Sequence, residues 1–124
     1  MKHKELTDQI ICLFYNVYNT LGYGFLEKVY ENALMLELQK SDVMAVAQSG
    51  INVSYEGNIV GQYFADILVG DKVIVEIKAV KNVLREHEAQ LLNYLKATDV
   101  EVGLLLNFGP TPEIKRKVLD NSLK

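Results

Sequence analysis

The sequence predicts an α/β fold: a mixed β-sheet, an antiparallel meander plus one parallel crossover strand, flanked by helices. Over the first third of the chain apolar residues recur at helical spacing; they then give way to β-branched runs broken by Gly/Asn/Asp turns. Near the C-terminus a strand, a helix and a second apolar strand follow one another, the order of a right-handed crossover. With 124 residues, 49% of them apolar and 23% charged, the chain has the size and composition of one domain with a real core, spanning residues 1–124.

Each element has its own signal. Over residues 5–21, Ile10, Ile11, Phe14, Val17, Tyr18 and Leu21 lie on one face of a first helix. Gly22 and Gly24 end it and open a turn. A second helix is expected over about residues 25–40, with Leu26, Val29, Tyr30, Ala33 and Leu34 on its buried side. Residues 43–55 and 59–69 read as strands separated by the turn Glu56-Gly57-Asn58. After Gly70-Asp71, residues 73–80 form a third strand rich in β-branched side chains. Leu84, Leu91, Leu92 and Leu95 carry a helix over about residues 83–97, and residues 101–108 are a compact apolar strand. Thr111-Pro112-Glu113 has the chemistry of an N-cap, a first-turn proline and a first-turn acid, and predicts a last short helix. The expected order is α-α-β-β-β-α-β-α.

Composition limits the function classes. Apolar stretches such as residues 100–108 fall far short of the ~20 residues a spanning helix needs, so no membrane role is expected. Asp8 and Gln9 interrupt any signal-type block at the N-terminus. A single cysteine, Cys12, excludes an internal disulfide and fits a reducing, cytoplasmic setting; between Ile11 and Leu13 it reads as a buried structural thiol. The net charge of −3 counts against a tight non-specific grip on phosphates, although acids gathered at a metal site are neutralised once an ion is bound. The basic residues concentrate in Lys78, Lys81 and Arg85 and in Lys115, Arg116 and Lys117.

The most informative segment is Val-Ile-Val-Glu-Ile-Lys-Ala-Val, residues 73–80. Alternation puts Ile74, Glu76 and Lys78 on one face of a strand that should lie inside the sheet. Unpaired charges there would cost several kcal/mol each, so they face water at a sheet end or pair with something, and a divalent cation is one such partner. Asp66, in the apolar run Tyr-Phe-Ala-Asp-Ile-Leu-Val, supplies a second acid. A three-residue turn over residues 70–72 pairs Val69 with Val73 and brings Asp66 opposite Glu76; a two-residue turn would place Asp66 opposite Val75 and separate the acids. The alternative is an amphipathic strand whose charges are simply solvated.

Two further motifs weigh against that alternative. Gly24-Phe25-Leu26-Glu27-Lys28-Val29-Tyr30 matches Gly-x-x-Glu-x-x-Tyr, and Gln90-Leu91-Leu92-Asn93-Tyr94 matches Gln-x-x-x-Tyr. With Asp66 and Glu76-Ile77-Lys78 in between, the chain resembles the GxxExxY family of the PD-(D/E)XK nuclease superfamily over about residues 21–108. Ala65 stands where the superfamily loosely keeps a proline before the aspartate. The resemblance implies a restriction-endonuclease-like core in which Asp66 and Glu76 bind a metal and Lys78 assists at the scissile phosphate. By the same resemblance Glu27 adds a carboxylate, and Gln90 and Tyr94 line the site from the following helix.

The expected function is therefore phosphodiester hydrolysis in DNA or RNA. Oxygen ligands suit Mg²⁺ or Mn²⁺, held by Asp66, Glu76 and the backbone carbonyl of Ile77 with Glu27 nearby. The ion activates a water, Lys78 steadies charge on the phosphate, and Gln90 and Tyr94 hold the strand by hydrogen bonds. His87 lacks the Cys/His company a zinc site needs. Two other readings fit the acidic balance: a catalytically silent nuclease fold that binds nucleic acid or a protein, and a structural dimerising module. A homodimer would help so short a chain embrace a duplex.

Overall fold

A computed structural model describes residues 1–124. Two helices, α1 (Lys4–Leu21) and α2 (Glu27–Lys40), precede three strands, β1 (Ala45–Tyr55), β2 (Asn58–Val69) and β3 (Val73–Lys78). Helix α3 (Arg85–Lys96), strands β4 (Val102–Phe108) and β5 (Pro112–Val118) and a short 3-10 turn (Asn121–Leu123) complete the chain. The five strands lie in the order β1-β2-β3-β4-β5, antiparallel throughout except for the parallel β3–β4 pair that α3 connects. No helix is long and apolar enough to cross a membrane.

The expected C-terminal helix is instead strand β5. Gly109, Pro110 and Thr111 form a tight loop that pairs Phe108 with Pro112 and runs the two strands back to back to Val102 and Val118. Every residue of β4 is buried, so its outer backbone groups need partners that a helix over 112–118 could not supply. Pro112 sits at the first position of an edge strand, where its missing N–H costs nothing. Lys115, Arg116 and Lys117 then blunt that edge against pairing with another chain.

Helices cover both sheet faces. Against α1 and α2 lie Ile67, Val69, Val73, Val75, Ile77, Leu104, Leu106 and Phe108; against α3 lie Ile51, Ala65, Ile74 and Leu105, packed on Leu91, Tyr94 and Leu95. Helix α2 starts at Glu27, so Leu26 precedes it and is exposed, as is Val29; Tyr30, Leu34 and Leu38 form its buried stripe. Cys12 is exposed on α1, since the buried line of that helix runs through Ile10, Leu13, Phe14 and Val17. Tyr30 of the Gly-x-x-Glu-x-x-Tyr run is an anchor. Its hydroxyl donates to the Gly22 carbonyl (2.7 Å) and accepts from the Phe25 amide (3.2 Å), and its ring stacks on Phe108 with centroids 4.2 Å apart. Gly22 and Gly24, at φ +67° and +113°, give the α1–α2 turn a backbone path that other residues rarely adopt. The motif thereby sets where α2 begins relative to the C-terminal ends of the central strands.

Candidate active site

The site forms where β2 and β3 part. Their ladder runs Val69–Val73, Leu68–Ile74 and Ile67–Val75 and stops there. The loop between them is the three residues Gly70, Asp71 and Lys72, so Asp66 and Glu76 are the next residues across from each other. Beyond Ile67 the Asp66 side chain takes over from the backbone: its Oδ2 accepts a hydrogen bond from the Ile77 amide at 2.7 Å. On its other side the ladder with β1 also lapses, pairing Ala47 with Ile67 and Ser49 with Ala65 but leaving out Gln48 and Asp66. Gln48 has a left-handed backbone (φ +53°). Ala65 belongs to the α3-side core and Ile67 to the opposite one, although residues two apart on a regular strand share a face. Strand β2 therefore turns over at Asp66, and the irregularity presents this carboxylate to Glu76.

Glu76 is only 7% exposed, and its Oε1 is buried without a hydrogen-bond partner. Burial, and next the neighbouring Asp66 charge, push its carboxyl up to about 9 from an ordinary 4.5, with Lys78 pulling the other way. An orphaned buried carboxylate oxygen beside a second carboxylate is an arrangement that a cation would complete. Lys78 follows two residues along β3, half-buried and outside every ion pair of the protein. It pairs with Asn107 in the parallel ladder. The fully buried Asn107 side chain clamps the strand's exit: its Oδ1 accepts from the Val80 amide (3.0 Å), and its Nδ2 donates to the Val80 carbonyl (2.9 Å) and to Glu113 Oε1 (3.1 Å).

From the α3 side, Gln90 Nε2 donates to the Tyr94 hydroxyl at 2.8 Å. Tyr94 is nearly buried and packs with Leu91 and Leu95 rather than on a separate polar face. Burial raises its phenol above the usual range against the Gln90 hydrogen bond, and the Glu76 and Asp66 charges raise it further. Helix α3 sits close to the sheet because Gly103 lies beneath Leu91; a Cβ there would stand 2.6 Å from a Leu91 methyl. His87 lies away from this chemistry. Its Nδ1 accepts from the Leu84 amide at 3.0 Å and caps the start of α3.

The remaining expected acid lies apart. Glu27 is exposed in the first turn of α2, and no group of three or more His, Cys, Asp or Glu side chains gathers closely enough to hold a metal unaided. One turn further along, Glu31 is 4% exposed and accepts from Lys28 Nζ (2.6 Å) and from Gln48 Nε2 (2.7 Å). It thus grips the residue that stands opposite Asp66 in β1. Glu31 and Asn107 are structural neighbours of the site that the motifs pass over. A glutamate directly after a core-anchored tyrosine, and an asparagine inside an apolar strand, are the signals that could have found them. Asp66 and Glu76 supply two carboxylates and Ile77 a backbone carbonyl, an all-oxygen donor set of the kind that suits a hard divalent cation.

A family model described as the PD-(D/E)XK nuclease superfamily matches residues 4–117. Among solved structures, the fold is similar to that of the protein SSO0001 (TM-score 0.57, 20% identity, covering 77% of this chain and 52% of that one). It is also similar to an alkaline exonuclease, LHK-Exo, from Laribacter hongkongensis (TM-score 0.55, 14% identity, covering 77% and 57%). The chain thus spans little more than half the length of these structural relatives. No match was found among curated proteins.

Proposed function

The chain belongs to the PD-(D/E)XK nuclease superfamily, and from that premise we propose that it is a divalent-metal-dependent phosphodiesterase acting on DNA or RNA. The observation that carries this reading is the buried, unpartnered Oε1 of Glu76 facing Asp66 across the β2–β3 fork. Asp66, Glu76 and the carbonyl of Ile77 would hold Mg²⁺ or Mn²⁺, and Glu27, which lies apart from them, would take no direct part in ligation. Bound there, the ion supplies Lewis acidity to the phosphate and lowers the pKa of a water.

The protein's own groups do the rest. The Ile77 amide holds the Asp66 carboxylate in one orientation, leaving its other oxygen free to ligate. Lys78 places an ammonium on the same strand face as Glu76, where negative charge grows on the phosphate in the transition state. Asn107 secures the backbone just beyond Lys78 and keeps that face in register. Gln90 and Tyr94 form a hydrogen-bonded pair whose remaining donors can hold the substrate strand.

The test is cleavage of single-stranded, double-stranded and branched DNA and RNA with Mg²⁺ or Mn²⁺, comparing wild type with Glu76→Ala. Cleavage by wild type and its loss by at least about 100-fold in the variant is the expected result. The acidic balance and the lack of a third gathered carboxylate favour a silent, binding-only fold as the second reading. Failure of the folded, metal-saturated wild type to cleave any of these substrates selects it.

A further inference from the structure

A groove of about 460 Å³ runs between α3 and the β1–β2 arm. Tyr63, Asn52, Gln90, Asn93, Tyr94 and Lys96 are among its lining residues, and no acid is. In a protein of net charge −3, a groove whose one charged residue is a lysine is locally cationic. The Tyr63 ring is 46% exposed and leans on Tyr94 with centroids 5.8 Å apart, tilted by 45°. The ring is thus braced on one side by Tyr94, and nearly half of the residue stays open to solvent. Tyr94 and Gln90 line the groove and hydrogen-bond to each other, and the Tyr94 phenol feels the Glu76 and Asp66 charges. Tyr63 precedes Asp66 by three residues on the same strand, about 10 Å at ordinary strand rise.

We propose that this groove binds an unpaired nucleobase of a single-stranded nucleic acid, stacked on Tyr63 next to the phosphate to be cleaved. The inference rests on the reading of Asp66 and Glu76 as a phosphodiester-cleaving site, and it narrows the substrate. An open, supported aromatic face is what a base needs for stacking, and stacking tolerates any base. The side-chain amides of Gln90 and Asn93 match the mixed donors and acceptors of a base edge. Lys96 supplies one contact to phosphate. In a duplex, neighbours cover both faces of each base and its pairing edge is taken, so the groove admits a base only where the strands have opened. An apolar peptide or small molecule would gain little from two side-chain amides and a lysine.

The experiment reads affinity without chemistry. Fluorescence anisotropy of a short fluorescein-labelled oligothymidylate and of a blunt duplex of equal length is measured in EDTA with wild type, Tyr63→Ala, Tyr63→Phe and Tyr23→Ala. Tyr23 is an exposed tyrosine on the α1–α2 turn, outside the groove. Wild type should bind the single strand more tightly than the duplex. Tyr63→Ala should lose about tenfold in single-strand affinity, while Tyr63→Phe and Tyr23→Ala keep it. No single-strand binding by wild type, equal affinity for the duplex, an unchanged Tyr63→Ala, or an equal loss in Tyr23→Ala overturns the proposal. The readout is separate from catalysis. A wild type that binds the strand but cleaves nothing with Mn²⁺ leaves the groove standing and removes the nuclease reading. Normal cleavage with Tyr63→Ala unchanged in single-strand KM removes the groove alone.

Discussion

Glu76 is the residue on which folding and function pull in opposite directions. Its carboxyl, held up to about 9 by burial and by Asp66, is neutral in the metal-free protein over most of the physiological range. The fold binds that proton more tightly than the unfolded chain does. The stability it contributes is therefore complete below about pH 4.5 and is lost as pH rises towards 9, by up to about 1.4 kcal/mol per pH unit. In EDTA the melting temperature should fall steadily between pH 5 and pH 9, and Glu76→Gln, neutral at every pH, should flatten that slope and melt higher than wild type at pH 8. Mn²⁺ at pH 8 should raise the melting temperature of wild type and not that of the variant, because the ion takes the proton's place. A wild-type curve in EDTA that stays level across this window would mean that the carboxylate is already ionised and solvated, contrary to its burial.

At the scale of elements, the site depends on how β3 ends. A regular ladder would bury Glu76 between β2 and β4 with no outlet; the fork at Asp66 opens one, and Asn107 keeps it from spreading. Replacing Asn107 by Ala leaves the half-buried Val80 amide and carbonyl without their partners and should cost about 1–3 kcal/mol, read as a lowered denaturation midpoint. Asn107→Asp keeps the acceptor for the Val80 amide but sets a carboxylate against the Val80 carbonyl and Glu113, and should cost at least as much. A cost below about 1 kcal/mol in both variants would show that the clamp is idle. Much of this was legible in the chain. The β-branched run with Glu76 and Lys78 on one face follows from alternation, whereas counting leaves Asp66 opposite either Glu76 or Val75, and the three-residue turn over residues 70–72 decides for Glu76. The turnover of β2 at Asp66 was not legible, because it arises from Gln48 across the sheet and from Glu31 on a helix, contacts with no local signature. The last strand was misread because Thr-Pro-Glu starts a helix as readily as an edge strand, and only the demand of buried β4 for a partner decides between them.

At the scale of the whole molecule, charge sets how nucleic acid can be held. On β5 Lys117 pairs with Glu88 at 2.8 Å, and Lys115 and Arg116, which make no ion pair, stand on the sheet edge opposite the β1–β2 arm that lines the groove. The cations beside the fork and the groove are Lys78 and Lys96. Two phosphate contacts to a single strand give a slope of about −1.4 in log K against log salt, far shallower than a protein gripping a long backbone stretch. Stacking and hydrogen bonding, which salt barely touches, would then carry most of the affinity, and the acidic net charge would be no obstacle. Anisotropy titrations of single-stranded oligonucleotide between 50 and 300 mM KCl should give that shallow slope, and Lys96→Gln should reduce it by about half. A slope steeper than about −3 would require several more phosphate contacts and place the strand across a basic surface instead, with β5 the first candidate. In that case binding would be held chiefly by charge, and Tyr63 would be a bystander to it.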